Sequence, residues 1–318
     1  MPCKYHDRIY FGAANLFTLP ITTRIILPCC NSPEGSAQMF RREHFIDDGK
    51  FSLSKYERLI GRHCQENGCP NYAEGESIIS EIVLGEWRKC PGKCISCHNA
   101  VQDNTSERPL SAAAMTKYME EVSAAYREIA AYNAAHGYPA PTLLIGASGD
   151  LFFSENYRAI LHMDLAAMGI QRISLITSLQ TWTMRQLRDI NRKTQQLVRE
   201  IIISVDSVQP ALYESIREGS RWSRLIGGMY QCTLAFPGAL RKISYTVSKV
   251  NFQEVPAVPG RIHSLFPSVS VLEFHAVQDW TGSASARSML LSEEERKELA
   301  AWADAHPEYA GMAVKFLY

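Results

Sequence analysis

The sequence predicts an α/β fold: a parallel sheet curled into a partial, six-stranded (β/α)6 barrel, preceded by a small cysteine-rich module. Three observations predict it. From residue 78 onward, short β-branched runs alternate with amphipathic segments, the order that gives a parallel sheet with helical crossovers. Most of these runs end in a glycine or polar cluster, which gathers polar groups at one end of the strands, where parallel barrels place their sites. Eight of the nine cysteines lie in the first third of the chain.

Residues 1–76 form the expected cysteine-rich module. Residues 22–28 read as a short strand that delivers Cys29 and Cys30, and Asp47-Asp48-Gly49 as a turn. Residues 53–62 read as a short helix capped by Ser52, with Leu53, Tyr56, Leu59 and Ile60 on its apolar face. Cys64 and Cys69 then close a tight loop ending at Pro70.

The barrel spans residues 77–284. Its expected strands are 78–84, 141–145, 172–178, 200–207, 242–248 and 269–275. The helix expected over 110–136 starts at the cap Ser111, and Met115, Tyr118, Met119, Val122, Ala125, Tyr126 and Ile129 recur at helical spacing as core residues. Further helices are expected over 154–168 and 182–196. Residues 285–318 carry a last helix over 291–305, opened by Ser292 with Glu295 as a capping box and packed outside the barrel, and a tail with the pattern of a final strand.

The 33 basic and 33 acidic residues cancel, so no basic excess favours nucleic acid or an anionic membrane surface. Met1-Pro2-Cys3-Lys4 does not open a signal peptide, and no apolar run is long enough to span a bilayer, so the expected location is the cytoplasm. An apolar content of 46% is that of a globular protein. Nine cysteines in such a chain point to metal ligation rather than to a disulfide framework.

The chemistry is expected at Cys90-x3-Cys94-x2-Cys97, just beyond the first barrel strand. Thiolates are soft ligands suited to iron, and three of them on one loop leave one corner of a four-iron cluster open to another ligand. A zinc site completed by His98 is the alternative.

The spacing resembles that of the radical S-adenosylmethionine (radical SAM) enzymes. That resemblance implies a 4Fe-4S cluster on Cys90, Cys94 and Cys97, S-adenosylmethionine on the open iron, and a flavodoxin- or ferredoxin-type electron donor. It also gives meaning to the strand ends. Gly146-Ala147-Ser148-Gly149-Asp150 looks like the motif that binds the amino group of the cofactor's methionine. Ser204 and Asp206 are placed to hydrogen-bond a ribose or a substrate. Arg217 suits either the cofactor carboxylate or a salt bridge to a neighbouring loop. Asn251 falls where relatives carry an asparagine, and His275 is either a core residue or a substrate contact. Where relatives often have Thr-Asn-Gly, this chain has Thr177-Ser178-Leu179.

The first 76 residues resemble the SPASM or twitch modules that carry an auxiliary iron–sulfur cluster. The implied ligands are Cys29, Cys30, Cys64 and Cys69, with Cys3 able to replace one of the adjacent pair. Zinc binding and unliganded thiols are the alternatives there. Cys232 remains outside both sets, either as a hydrogen-atom donor or as a buried structural thiol. Three functions follow: maturation of a ribosomal peptide, epimerisation or dehydrogenation of a sugar or small metabolite, or a non-catalytic protein stabilised by zinc or a cluster. A separate domain for recognising a leader peptide is not expected in the sequence.

Overall fold

The computed structural model describes residues 8–13, 23–26, 39–41, 46–47, 50–55, 58, 79–85, 87, 89–95, 97, 109–147, 149–277 and 287–317. One sheet of 11 strands organises the chain. Its parallel centre is β1 (Arg8–Ala13), β6 (Glu81–Gly85), β8 (Thr142–Ile145), β9 (Ile173–Thr177), β10 (Val198–Val205), β12 (Leu240–Val247), β13 (Val271–Ala276) and β15 (Met312–Leu317), side by side in that order. Antiparallel strands extend both edges: β2 (Thr23–Ile26) and β3 (Met39–Arg41) beyond β1, and β14 (Glu308–Tyr309) beyond β15. Two short ladders complete the set: β4 (Ile46–Asp47) with β5 (Lys50–Phe51), and β7 (Lys93–Cys94) with β11 (Arg217–Glu218). This is the partial α/β barrel expected from the sequence, widened by a parallel strand at each side: β1 joins β6, and the C-terminal tail joins β13 as β15.

The helices are α1 (Ala112–Ala135), α2 (Glu155–His162), α3 (Met184–Asp189), α4 (Arg192–Leu197), α5 (Pro210–Ile216), α6 (Trp222–Ala235), α7 (Val258–Leu265) and α8 (Glu293–Ala305). Ser111 caps α1 by accepting from the Ala114 N–H, and Ser292 with Glu295 forms the full capping box of α8. Two expected helices come out shorter. The 182–196 segment divides in two because Asn191 accepts from the Lys193 and Thr194 N–H groups and starts α4 afresh. The 154–168 segment stops at His162 because Thr194 Oγ1 donates to the Met163 carbonyl, at 2.5 Å, and accepts from the Leu165 N–H. Near the tail, Ala310 and Gly311, both at positive φ, form the two-residue turn joining β14 to β15.

Alternation along the strands gives the sheet two unlike faces. On one face Ile82, Leu143, Ile173, Leu175, Ile201, Ile203, Ile243, Tyr245, Leu272 and Phe274 are fully buried in one core with Tyr118, Met119, Val122 and Tyr126 of α1. The other face lines the barrel and is polar from β9 to β13. In register there lie Ser204 beside Ser244, Ser244 beside Glu273, and Thr246 beside His275. Cys3, Cys29, Cys30, Cys64, Cys69, His98 and Ser148 fall outside the described residues, so the expected auxiliary cluster and its ligand set have no structural counterpart to report.

Candidate functional site

The site forms where the C-terminal ends of β6, β8, β9, β10 and β12 meet. The loop after β6 is bolted down before it reaches the thiols. Trp87 is buried edge-on between Tyr118 and Tyr157, at centroid distances of 5.4 and 5.0 Å, and the Tyr157 hydroxyl donates to the Leu84 carbonyl at 3.2 Å. The loop then meets two other segments. Asp150 N–H donates to the Lys89 carbonyl at 2.9 Å. The β7–β11 ladder pairs Cys94 with Arg217, and Ile95 N–H donates to the Ile216 carbonyl at 3.1 Å.

Glycines permit these close approaches. Gly146 has φ +97°, and a Cβ there would strike the Ile176 carbonyl oxygen. A Cβ on Gly149 would strike the carbonyl oxygens of Trp87 and Lys89, and one on Gly219, at φ +87°, would press on the Pro91 carbonyl. Gly149 and Asp150 are therefore packed directly against the cysteine loop, and Gly146 against β9.

Cys90, Cys94 and Cys97 are half-buried and free of disulfides, and Cys97 N–H closes a turn on the Cys94 carbonyl at 3.0 Å. Burial pushes the Cys90 thiol up to about 12, opposed by the Gly92 N–H and reinforced by Asp150 and the other two sulfurs. Burial also pushes the Cys94 thiol up to about 11, with the Arg217 guanidinium opposing and Asp206 and Cys97 reinforcing. Thiolates are thus costly in this loop without a positive centre between them, and a soft cationic metal group supplies one. Among the described residues, no three His, Cys, Asp or Glu side chains are grouped as the ligands of a single ion. Three thiols on one clamped loop, with no fourth protein ligand among the described residues, fit an iron–sulfur cluster by donor type and by count.

The other expected residues divide by what they touch. The Asp150 carboxylate is fully buried and accepts from Ser178 Oγ at 2.6 Å, from Thr181 Oγ1 and from the Phe152 N–H at 3.3 Å, so it fastens the β8 end to the β9 end. Asp206 and Arg217 form a two-pronged ion pair, Nε to Oδ2 at 2.8 Å and Nη2 to Oδ1 at 3.1 Å. Asn251 spans strand ends: its Nδ2 donates to the Asp206 and Thr246 carbonyls, and its Oδ1 accepts from Ser248 N–H at 2.7 Å. Ser204 and His275 face the barrel interior, half-buried, and Ala147 is likewise half-buried. Leu179 adopts φ +58° and lies directly over Gly228 of α6.

Cys232 is not brought to this site. It is fully buried on α6 beside Arg241, near the start of β12, and burial pushes its thiol up to about 12.

Sequence reasoning missed a second polar constellation. Inside the barrel, Lys242 Nζ bridges Glu200 at 3.0 Å and Glu273 at 3.2 Å, Ser174 donates to Glu200 at 2.9 Å, and His275 Nε2 lies 3.8 Å from Glu273. Nearer the strand ends, Glu254 accepts from Tyr245 at 2.7 Å and from Ser207 at 3.0 Å. The available signal was the polar residues on one face of these strands, Glu200 and Ser204 in β10, Lys242, Ser244 and Thr246 in β12, and Glu273 and His275 in β13, since a parallel strand covered on both faces is normally apolar throughout.

No protein-family model matches the chain, and no curated protein matches it in sequence. Solved structures do match in fold. The structure of native anSMEcpe with bound AdoMet superposes with a TM-score of 0.52 at 13% identity, over 75% of this chain and 64% of that one. Native anSMEcpe with bound AdoMet and Cp18Cys peptide gives 0.51 at 10% identity, over 74% and 62%. Streptococcus suis SuiB bound to precursor peptide SuiA gives 0.49 at 12% identity, over 83% and 61%. The fold is therefore the partial barrel of the radical SAM enzymes. The chain spans about three-fifths of the length of these structures.

Proposed function

We propose that this chain is a radical SAM enzyme whose Cys90, Cys94 and Cys97 hold a 4Fe-4S cluster and whose strand ends bind S-adenosylmethionine. The observation that carries the reading is the packing of Gly149 and Asp150, just beyond the β8 end, onto a clamped loop with three half-buried thiols that form no disulfide. When bound, cluster and cofactor supply a one-electron cleavage that yields a 5′-deoxyadenosyl radical.

The chain's own residues do the positioning. Gly149 brings backbone close to the cluster loop and Gly146 lets the β8 end press against β9, which keeps this backbone within reach of the cofactor's methionine portion. Asp150, Ser178 and Thr181 fix that loop's shape. Asn251 ties the β10 and β12 ends together, which holds Asp206 in place near the ribose side. The substrate lies in the barrel, against a wall of Ser204, Ser244, Thr246 and His275. The sheet floor excludes water from below and orients the hydrogen to be removed. An electron donor of the flavodoxin or ferredoxin kind and an auxiliary cluster in residues 1–76 complete the proposal.

We take a ribosomal peptide as the leading substrate. Its support is that anSMEcpe, a protein of this fold, is seen with the Cp18Cys peptide. The test is anaerobic reconstitution with iron and sulfide, then dithionite and S-adenosylmethionine. The expected result is about four irons or more per chain and release of 5′-deoxyadenosine, which Cys94→Ala abolishes. Bound zinc with no cofactor cleavage in the unaltered chain would overturn the reading.

A further inference from the structure

Buried ion pairs contribute little net stability, because removing two charges from water costs about as much as their attraction returns. The Asp206–Arg217 pair therefore calls for a reason beyond stability. Both side chains are nearly closed to solvent, at 3% and 10% exposure, where the β10 end meets the Cys94 arm of the loop. Asp206 is fixed from behind, since its carbonyl accepts from Asn251 Nδ2 at 2.5 Å. Arg217 is fixed from the side by the Tyr213 ring, whose centroid lies 6.0 Å from the guanidinium carbon.

Arg217 is also the direct antiparallel partner of Cys94. Side chains of such partners leave the ladder on the same side and stand as neighbours. Arg217 thus joins Asp206 to the cysteine loop. The segment around Arg217 continues the clamp, because Gly219 turns back onto the Pro91 carbonyl.

We infer that Arg217, aimed by Asp206, is a positioning residue for the cluster: it holds the Cys94 arm of the loop and places a compensated positive charge beside that sulfur. This rests on the radical SAM reading above. The inference gives each partner an opposite electrostatic effect. A positive charge beside a thiolate ligand favours the reduced, more negative cluster, and the carboxylate behind it moderates that effect.

The experiment is an EPR-monitored redox titration of the full chain, reconstituted anaerobically, following the signal that changes on adding S-adenosylmethionine. Arg217→Gln should move the midpoint to more negative potential, and Asp206→Asn to more positive potential, because it leaves the guanidinium uncompensated. Arg217→Lys keeps the charge and should return the midpoint toward that of the unaltered chain. Equal midpoints in all variants, or shifts of the same sign in Arg217→Gln and Asp206→Asn, would reduce the pair to a structural clamp and overturn the inference. If Arg217→Gln assembles no cluster, the signs in Asp206→Asn and Arg217→Lys decide. An unaltered chain that yields no such signal defeats the functional reading itself, and the inference with it.

Discussion

Asp150 separates two accounts of the 146–150 motif. If its carboxylate were there to touch the cofactor, removing it would weaken cofactor binding and leave the empty protein's stability alone. The structure gives it a different role, since it is fully buried and accepts from two hydroxyls and one backbone N–H, joining the β8 and β9 ends. Hydrogen bonds to a charged acceptor are each worth about 1.5–3 kcal/mol. Losing the two from Ser178 and Thr181 removes about 3–6 kcal/mol gross, and relief of the buried carboxylate's desolvation offsets part of it, leaving about 2–4 kcal/mol. At roughly 2–4 °C per kcal/mol for a chain of this order, Asp150→Ala should melt about 4–16 °C lower. The assay is thermal unfolding of the metal-free protein under anaerobic conditions, followed by circular dichroism. An Asp150→Ala protein that melts within a degree of the unaltered chain would refute the fastening role.

Two further outcomes follow from the same geometry. Gly146→Ala forces a Cβ against the Ile176 carbonyl at a positive φ, so it should cost about 2 kcal/mol or more in chemical denaturation and impair S-adenosylmethionine cleavage beyond its effect on iron content. Lys242→Met should leave Glu200 and Glu273 uncompensated inside the barrel and cost about 3 kcal/mol at pH 8. In the unaltered chain, desolvation works against the Lys242 charge, but the two carboxylates outweigh it and raise its pKa. Its stabilisation is therefore present in full below the unfolded value of about 10.4 and is lost only as pH rises through the raised folded value. In Lys242→Met the two carboxylates face each other with no cation between them, and acid relieves that repulsion. The deficit should shrink as pH falls through the carboxylate range, and a deficit constant between pH 8 and pH 4.5 would count against the network.

What the sequence determined here is what depends on local order and periodicity. The alternation of β-branched runs and amphipathic segments set a parallel sheet, because short hydrophobic strands with helical connections have few other ways to bury both faces. The caps at Ser111 and Ser292, the Cys90-x3-Cys94-x2-Cys97 spacing and the glycines at 146 and 149 were readable because each is a short-range pattern with its own physical cause. The tertiary structure alone decided the partners. Arg217 took Asp206, 11 residues away, and Asp150 took Ser178 and Thr181, 28 and 31 residues away. It decided that the tail enters the sheet beside β13, that Cys232 sits by Arg241 away from the strand ends, and that Leu179 stands in a left-handed conformation over Gly228. Those outcomes depend on which strand ends lie side by side once the barrel has curled. Hydrogen bonds and charges act over a few ångströms in space, whatever the distance along the chain.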